Sequence, residues 1–562
     1  MDLRELVYDV CRDYMNDLAP GCISTNLEKR INGALRGRNL SVLCNLSEEH
    51  PLEQCSVDEV RVILQVEAFF KKNASFSDPD ACKKAAYDSF LRNEKRCRIT
   101  NRRLGWYYEN VGRLDPTMQK YLASMENTCK EVLGDFSRFL ESLPDRVVFT
   151  GGATATQSRR TSLPYRKMRL NPPAGSKVEP YIKSLAKYFG FDRCNPRPRN
   201  VNRVEFVPKN WKTHRTIACE PEGNIPFQLA FDSWVKERLR CCVGIDLRDQ
   251  SLNQRLARQG SLENCLATVD LEAASDTVAY NAVAWMLPAE WFSYVNDMRS
   301  PFYQLEGNIS KYHKFSSMGN GCTFGLETLI FAAACKAVGS KEYSVYGDDI
   351  VIEATLLTEL TSLLAFLGFR INHSKSHSQG PFRESCGKNW YHGVDVTPHY
   401  VRSTPRSKAD FCHLVNGLAS VSTPLGQVWQ RLREFVRNRR LPYVPFNDAS
   451  TTGVYIDVHT AYQRKLLRYR AGITSYRAIT VKSAVISVYD TRTYMLQHFR
   501  MRGQVRKSSL PWFRFGAQDT ERSESSKVPT CVHTFVRKWV CWHPPAAAVP
   551  THIYMWSEYL TT

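Results

Sequence analysis

The sequence predicts an α+β protein, and three observations indicate this class. Apolar residues recur at three- and four-residue spacing over residues 3–15 and 57–70, which is typical of amphipathic helices. The same periodicity returns after residue 400, where residues 425–436 form one apolar face. Between these regions, β-branched and aromatic residues flank a Gly-Asp pair over residues 343–352, which indicates a β-hairpin. The chain is therefore expected to have helices towards both ends and paired strands in the middle.

The composition is that of a folded and strongly basic protein. The chain has 562 residues, of which 43% are hydrophobic, so more than one subdomain is expected. The formal net charge of +20 predicts a polyanionic partner, either a nucleic acid or an anionic membrane surface. The membrane is the weaker alternative, because the longest apolar stretch, residues 329–338, is too short to cross a bilayer and contains Lys336. The N-terminus has no signal-peptide pattern, so the 18 cysteines are expected to be mostly buried, reduced thiols.

Two adjacent carboxylates, Asp348 and Asp349, lie at the predicted hairpin turn. Gly347 before them can adopt the positive φ that such a turn requires. Neighbouring anions repel each other and persist mainly where a cation neutralises them. Mg²⁺ prefers oxygen ligands and often takes one or two protein carboxylates together with substrate phosphates. An isolated Gly-Asp-Asp is more often an ordinary turn, so this interpretation depends on the surrounding segments.

A second carboxylate site precedes the hairpin. Residues 265–269 predict a short buried strand that ends at Asp270, with a helix following to about residue 287. Although such an Asp is commonly a helix N-cap, Asp270 and the hairpin carboxylates are expected to bind two Mg²⁺ ions for phosphoryl transfer. Asp276 is a candidate acceptor for a ribose 2′-hydroxyl. No Phe or Tyr lies between Asp270 and Thr277, which favours ribonucleotides over deoxyribonucleotides.

A glycine-rich run between the two acidic sites is a further candidate for nucleotide binding. Residues 316–325 contain three glycines and lead into an apolar helix predicted over residues 326–338. Asn320 within this run is a candidate second sugar contact. An ordinary flexible approach to a helix is an equally good interpretation.

Basic residues on either side of the acidic sites are candidates for phosphate binding. Lys209, Lys212 and Arg215 occur at three-residue spacing in a predicted strand and suit a triphosphate and its pyrophosphate product. The alternative is a solvated basic strand. After the hairpin, an amphipathic helix predicted over residues 356–369 precedes Lys375, a candidate general acid for the leaving pyrophosphate. An exposed surface lysine is the commoner alternative at such a position.

Two other patterns have weaker interpretations. His373, His377 and Cys386 have a spacing reminiscent of zinc ligands, but a fourth ligand is missing. The polar segment of residues 151–175 predicts either a solvated loop or a flexible basic arm over a nucleic-acid channel. Its cations are Arg159, Arg160, Arg166, Lys167 and Arg169.

The order of these segments is that of palm-domain RNA polymerases. The chain resembles the RNA-directed RNA polymerases of the leviviruses, the replicase β subunits of single-stranded RNA bacteriophages. The resemblance covers roughly residues 200–405. It rests on Pro-Lys-Asn-Trp-Lys-Thr-His-Arg-Thr-Ile-Ala-Cys-Glu-Pro (208–221), Val-Asp-Leu-Glu-Ala-Ala-Ser-Asp (269–276), Ser-Ser-Met-Gly-Asn-Gly (316–321), Tyr-Gly-Asp-Asp (346–349) and Gly-Pro-Phe-Arg-Glu-Ser-Cys-Gly-Lys (380–388), which continues to Gly-Val-Asp-Val-Thr-Pro (393–398).

The resemblance implies a right-hand polymerase fold of fingers, palm and thumb, with an antiparallel palm sheet backed by helices. It places a mainly helical region contributing to fingers and thumb at residues 1–200 and a basic fingers element at residues 201–262. The palm with the catalytic motifs is expected at residues 263–400, and the thumb with a basic C-terminal region at residues 401–562.

The family's roles carry over to matching positions of this sequence. They are the metal-binding catalytic acids Asp270, Asp348 and Asp349 with Mg²⁺, the ribose-proximal Asp276 and Asn320, and the phosphate-facing Lys209, Lys212 and Arg215. The block at residues 380–388 is expected to support the 3′ end of the growing strand. Glu327 departs from the Asn that many RNA polymerases outside this family carry, which puts a ribose contact from that helix in question.

The resemblance further implies primer-independent copying of a genomic RNA from ribonucleoside triphosphates in the cytoplasm of a bacterial host. The implied partners are host elongation factors Tu and Ts and a small-subunit ribosomal protein, with no membrane. Basic and aromatic stretches at residues 464–470 and 500–515 predict either RNA binding or an ordinary thumb domain.

Two alternatives remain consistent with the sequence. A reverse transcriptase also carries a Tyr-x-Asp-Asp pattern, but the missing aromatic residue after Asp270 disfavours it. A non-catalytic RNA-binding protein with a retained polymerase scaffold is disfavoured because all three acids are present.

Overall fold

The protein has a mixed architecture of helices and sheets. The computed structural model describes residues 3–158, 162, 167, 171–188, 194–402, 405–446, 449–470, 473–485, 531–541 and 550–561. The helices in chain order are α1 (Leu3–Asn16), α2 (Thr25–Arg36), α3 (Leu40–Cys44), α4 (Leu46–Glu49), α5 (Val57–Phe70), α6 (Pro79–Glu109), α7 (Pro116–Leu133), α8 (Phe136–Arg146), α9 (Glu179–Tyr188), α10 (Ile225–Val243), α11 (Ser251–Glu263), α12 (Ala274–Thr277), α13 (Tyr280–Met286), α14 (Ala289–Met298), α15 (Thr323–Ala337), α16 (Leu357–Leu367), α17 (Lys408–Val421), α18 (Gln427–Arg439), α19 (Val458–Gln463) and α20 (Thr551–Thr561). The predicted α+β class is confirmed.

The strands form several small sheets. They are β1 (Pro173–Ala174), β2 (Arg197–Pro198), β3 (Val201–Pro208), β4 (His214–Cys219), β5 (Leu266–Val269), β6 (Phe302–Leu305), β7 (Asn308–Lys311), β8 (Ser344–Tyr346), β9 (Asp349–Glu353), β10 (Phe382–Ser385), β11 (Lys388–Tyr391), β12 (Val394–Asp395), β13 (Tyr443–Pro445), β14 (Val454–Ile456), β15 (Leu467–Arg470), β16 (Ile473–Val485) and β17 (Cys531–Cys541). Three sheets concern the site: an antiparallel sheet in the order β5-β9-β8, the antiparallel sheet β10-β11-β12, and the mixed sheet β4-β3-β6-β7.

The central core surrounds the β5-β9-β8 sheet. Apolar side chains of α15, such as Leu329 and Ile330, are buried against residues of the sheet such as Val345 and Ile350. Because α15 is mostly apolar, most of the helix, from Gly325 to Cys335, is buried inside the protein. This burial fixes the sheet, and therefore the residues at its edge, within the largest apolar cluster of the described residues.

A second core joins the two ends of the chain. Helices α1 and α5 pack with α17 and α18, and the indole rings of Trp429 and Trp556 lie 4.9 Å apart in it. The carboxylate of Asp17, just after α1, accepts hydrogen bonds from the backbone N–H groups of Gln427 and Val428 at 2.6 and 2.9 Å. Asp17 therefore caps the N-terminus of a helix that is distant in sequence.

Most predicted helices are confirmed, and three local predictions are wrong. Leu425 does not belong to the apolar face of α18; it precedes that helix, has φ of +63° and is 58% exposed. The single helix expected after Asp270 is two short helices, α12 and α13, separated by Val278 and Ala279. These two residues extend beside residues 313–315, and the hydrogen bond from Phe315 N–H to the Val278 carbonyl interrupts the helix.

The basic segment is also not a continuous strand. Lys209 and Lys212 lie in the connection between β3 and β4, and only Arg215 lies on a strand. Among the predicted basic elements, Arg159, Arg160, Arg166 and Arg169 and the aromatic stretch at residues 500–515 lie outside the described residues. Lys167 is described and is buried.

The described ranges contain no helix that is long and apolar enough to cross a membrane. Several cysteines are free and buried, among them Cys11, Cys129 and Cys335, and burial raises the pKa of each thiol.

The block at residues 380–388 has a structural explanation. Cys386 and Gly387 both have positive φ, as the two-residue turn between β10 and β11 requires. Arg383 is fully buried and donates hydrogen bonds to the carbonyls of Leu266 at 2.7 Å and Gly380 at 2.8 Å. It also bonds the Phe382 carbonyl and the side chain of Asn264. Burial lowers the pKa of the Arg383 guanidinium to about 10. The arginine therefore fastens the β10–β11 hairpin to the start of β5.

We expect Arg383→Met to destabilise the protein by about 3 kcal/mol, because several buried carbonyls would lose their donor. The measurement is the apparent free energy of unfolding in urea. Arg248→Met is the matched control, since Arg248 is exposed and pairs locally with Asp246; its effect should be much smaller than that of Arg383→Met. Equal effects of the two variants would contradict the role given to Arg383.

Candidate active site

The predicted hairpin is confirmed. Tyr346 pairs with Asp349 across a two-residue turn, and Gly347 has φ of +64°. The turn is held from α15: the N–H of Gly347 donates to Oγ1 of Thr328 at 3.0 Å. A Cβ atom on residue 347 would lie only 2.5 Å from Cε2 of Phe324, which is also on α15. A glycine is therefore required at this position for both its φ and its size.

The register of the sheet brings Asp270 beside the hairpin carboxylates. Val269, the last residue of β5, pairs with Ile350 of β9 in an antiparallel ladder. The next residue, Asp270, therefore lies alongside Asp349 at the same end of the sheet. The Asp270 carboxylate accepts a hydrogen bond from Nδ2 of Asn372 at 2.7 Å, and its backbone N–H donates to Oγ of Ser376 at 3.0 Å. The predicted strand-end position of Asp270 is confirmed.

The three acids influence one another strongly. Desolvation and repulsion from Asp270 raise the pKa of Asp348. Desolvation, followed by repulsion from Asp348, Glu384 and Asp270, raises the pKa of Asp349 to about 7. The raised values mean that the surrounding protein does not fully compensate the negative charge of this cluster. Such a cluster is a favourable site for a cation.

Two of the predicted cations meet the acidic cluster. The Nζ atom of Lys375 lies 3.6 Å from Oδ2 of Asp270. Although desolvation opposes it, attraction from Asp270 and Glu384 raises the pKa of Lys375. Desolvation, together with repulsion from Lys375 and Arg215, lowers the pKa of Lys209, which also interacts with Asp270 and Asp348. Lys209 and Lys375 therefore lie beside the acids, and Arg215 lies near Lys209.

Lys212 points elsewhere. Its Nζ atom donates to Oδ1 of Asn45 at 2.8 Å and lies 5.2 Å from the centroid of the Trp211 ring. These contacts attach the β3–β4 connection to the N-terminal helices. Its predicted role in phosphate binding stays a prediction.

The two predicted ribose-proximal residues have different environments. The Asp276 carboxylate accepts hydrogen bonds from Lys314 and Thr216 and remains 16% exposed. Asn320 is buried, and its Oδ1 atom accepts hydrogen bonds from the backbone N–H and the Sγ of Cys322. Asn320 thus shapes the turn that leads into α15, and its sugar contact stays a prediction.

Several residues that support the site have no recognisable sequence signal. Asn253 on α11 is buried and donates to the Asp349 carbonyl at 3.1 Å, while its Oδ1 atom accepts from Ser344. The backbone N–H of Cys386 donates to Oδ2 of Asp349 at 3.2 Å. Each contact joins segments far apart in the chain, so local spacing could not predict it. The sequence block at residues 380–388 contains Cys386, and its resemblance to the family is the only indication in the sequence that this residue belongs to the site.

Glu327 on α15 is a buried acid behind the cluster. Burial, followed by repulsion from Asp348 and Asp276, raises its pKa well above the ordinary value. Its Oε1 atom has no hydrogen-bond partner among the described residues.

The carboxylates fit Mg²⁺ in their chemistry. Their oxygens are the ligands that this ion prefers, and their mutual repulsion is what a cation would relieve. In the described part of the chain, no group of three or more His, Cys, Asp or Glu residues is arranged so that it could hold a metal ion. Any Mg²⁺ would therefore need further ligands from phosphate oxygens and water, which is usual for this ion. His373, His377 and Cys386 likewise form no metal-binding group.

Comparison with known proteins gives a consistent result. The family described as "RNA replicase, beta-chain" matches residues 26–532. The chain is 38% identical over 387 residues to the RNA-directed RNA polymerase subunit beta of Escherichia virus Qbeta, covering 66% of this chain and 64% of that protein. It is 30% identical over 434 residues to the RNA-directed RNA polymerase beta chain of Escherichia phage MS2, covering 72% of this chain and 76% of that protein. The match thus spans less than two thirds of the length of the Qbeta relative.

A solved structure described as "RdRp complex" covers 57% of this chain and 33% of that chain, with 10% identity and a TM-score of 0.37. A similarity of this size carries no argument about the fold.

We expect Gly347→Ala to destabilise the hairpin more than a positive φ alone explains, by about 3 kcal/mol in total. Gly339→Ala is the matched control: Gly339 also has positive φ, but its Cβ would meet open space, so about 1 kcal/mol is expected. Urea unfolding of both variants provides the measurement. Phe324→Leu should recover part of the stability of the Gly347 variant, and losses of the same size at both glycines would contradict the close contact.

Proposed function

The chain belongs to the RNA replicase beta-chain family, and we propose that it is the catalytic subunit of an RNA-directed RNA polymerase that copies a phage single-stranded RNA genome. One observation carries the proposal. The antiparallel register places Asp270 beside Asp348 and Asp349, in a cleft that also contains Lys209 and Lys375. Acids that bind metal next to cations that bind phosphate are what nucleotidyl transfer requires.

The residues of the cleft divide the work of the reaction. The 3′-hydroxyl of the growing RNA gives up its proton to solvent and attacks the α-phosphate of a ribonucleoside triphosphate, forming a new P–O bond as the bond to pyrophosphate breaks. Asp270, Asp348 and Asp349 would hold Mg²⁺, which when bound supplies Lewis-acid stabilisation of the attacking and leaving oxygens. Lys209 and Arg215 would attract the triphosphate.

Three further side chains would complete the site. The ammonium group of Lys375 would donate a proton to the leaving pyrophosphate. Asp276 would accept a hydrogen bond from the ribose 2′-hydroxyl, with Asn320 as a second contact near the sugar. Positioning and electrostatic stabilisation are expected to supply most of the rate enhancement in this class of reaction.

We further propose that the chain has a right-hand arrangement of fingers, palm and thumb. In it, the β5-β9-β8 sheet with α15 and α16 is the palm, within residues 263–400. The β3–β4 hairpin belongs to a basic fingers element at residues 201–262. Residues 401–562 form the thumb with a basic C-terminal region, and residues 1–200 contribute to fingers and thumb. The shared core of α1, α5, α17 and α18 supports a contribution of the N-terminal region to the thumb.

We also propose that the chain works with partners in the cytoplasm of a bacterial host. Its relatives are named "subunit beta" or "beta chain", which is the naming of one part of an assembly. By family resemblance, the other parts are elongation factors Tu and Ts and a small-subunit ribosomal protein. RNA template, RNA product and ribonucleoside triphosphates complete the set of ligands.

The testing experiment is template-dependent incorporation of labelled ribonucleotides with Mg²⁺ in bacterial lysate that contains the expressed chain. Rifampicin silences the host RNA polymerase, and Asp349→Ala is assayed in parallel. Incorporation that requires added RNA and is lost in the variant supports the proposal; equal incorporation by both refutes it. Preferential use of deoxyribonucleotides would instead identify a reverse transcriptase.

We expect Asp348→Asn to abolish RNA synthesis while RNA binding stays within about twofold of wild type, because RNA is held by distributed cations. Asp246→Asn is the control, since Asp246 is a partly exposed acid paired with Arg248; it should keep full activity. Synthesis and filter binding are measured on the same preparations. Near wild-type synthesis by Asp348→Asn would remove this residue from the catalytic group.

A further inference from the structure

A fully buried lysine lies next to the candidate ribose site. The side chain of Lys314 is only 1% exposed, and its Nζ atom lies 2.7 Å from Oδ1 of Asp276 and 3.8 Å from Oε1 of Glu94. The ammonium group is 4.0 Å from the centroid of the Phe90 ring and 5.4 Å from that of Tyr312. Two carboxylates and two aromatic faces therefore surround one buried cation.

Burial of an ammonium group is costly unless ion pairs and hydrogen bonds compensate it. The backbone around Lys314 is accordingly fixed. The N–H of His313 donates to Oε2 of Glu94 at 2.7 Å, and Nη2 of Arg299 donates to the Lys314 carbonyl at 3.0 Å. Phe315 continues this attachment through its bond to the Val278 carbonyl. The backbone around Lys314 is thus held in place by hydrogen bonds from several neighbouring segments.

The lysine holds one side of the Asp276 carboxylate. The other oxygen, Oδ2, accepts a hydrogen bond at 3.0 Å from Oγ1 of Thr216, which lies on β4. A carboxylate bonded from two directions has little rotational freedom. Each of its oxygens still has a second lone pair that can accept a hydrogen bond from a ligand. Asp276 is therefore oriented but not saturated.

The positive charge of Lys314 also balances a set of acids. Glu94 and Asp276 flank it directly, and the Glu327 and Asp348 carboxyls interact electrostatically with this region. Without the lysine, repulsion from Glu94 would turn the Asp276 carboxylate away from its present orientation. A reoriented Asp276 would be a poorer acceptor for a sugar hydroxyl.

We propose that Lys314, together with Glu94, is a positioning residue for ribose selection: it holds the Asp276 carboxylate oriented towards the 2′-hydroxyl of the bound nucleotide. This inference rests on the proposed function, which supplies the nucleotide. It assigns a specificity role to α6, which carries Glu94 and Phe90, and to the segment that precedes the glycine-rich run.

The test compares wild type, Lys314→Met and Lys311→Met in complexes purified from the bacterium through a tag on this chain. Lys311 is the matched control, because it is an exposed lysine on the neighbouring strand β7. Template-dependent kcat and KM are measured for ribonucleoside triphosphates and for their 2′-deoxy analogues. We expect Lys314→Met to raise KM about tenfold for ribonucleotides and to leave both constants unchanged for deoxynucleotides. Lys311→Met should behave like wild type.

A fall that is equal for both kinds of substrate, or an unchanged preference for ribose, overturns the inference. Thr216→Val keeps Lys314 but removes the second donor to Asp276, so it should reduce ribose preference even where Lys314→Met folds poorly. Lys314→Arg, which keeps the charge, should retain more preference than Lys314→Met. A wild-type complex without RNA-templated incorporation would refute the proposed function and this inference together. An active wild type with equally selective variants refutes only the role of Lys314.

Discussion

The repulsion among three carboxylates confined to one end of a small sheet is the constraint on which the rest of this structure depends. Asp270 ends one strand, and Asp348 and Asp349 lie at the turn between two others, so the register alone determines their proximity. Desolvation and mutual repulsion raise the pKa of Asp349 to about 7, which is a measure of the unfavourable interaction. The surrounding elements must hold these groups together against that repulsion.

Neutral donors and distant anchors meet this requirement. The amide of Asn372 and the backbone N–H of Cys386 each bond one of the carboxylates without introducing a full charge. Asn253 and Arg383 bond backbone carbonyls instead, and they fasten the hairpins to each other and to β5. Among the described residues, neither Asn253 nor Arg383 pairs with a carboxylate. Both therefore leave the negative charge of the acids available to a ligand. The apolar helix α15 adds rigidity by packing against the turn itself.

The sequence predicts the parts of this arrangement whose causes are local. A Gly-Asp pair between β-branched residues determines a hairpin, and helical periodicity determines α5 to the residue, where Ser56 and Glu59 form a capping box. The prediction that Leu425 lies on a helix is wrong, because hydrophobic periodicity does not reveal the positive φ of this residue, which precedes α18. The roles of Asn253 and Lys314 could not be predicted, because each depends on hydrogen-bond or ion-pair partners far away in the sequence.

Glu327 shows how the same constraint reaches into the interior. Its carboxyl lies behind the cluster, and burial together with Asp348 and Asp276 raises its pKa well above the ordinary value. The raised pKa favours the neutral form of Glu327, which adds no charge beside three other acids and can both donate and accept a hydrogen bond. In these respects it equals the Asn amide that many polymerases outside this family carry at the corresponding place. The difference in residue type therefore need not change the electrostatics of the site, provided that the acid stays buried on α15. The burial of Glu327 and the ion pair of Lys314 therefore have the same effect, because each reduces the negative charge around Asp276.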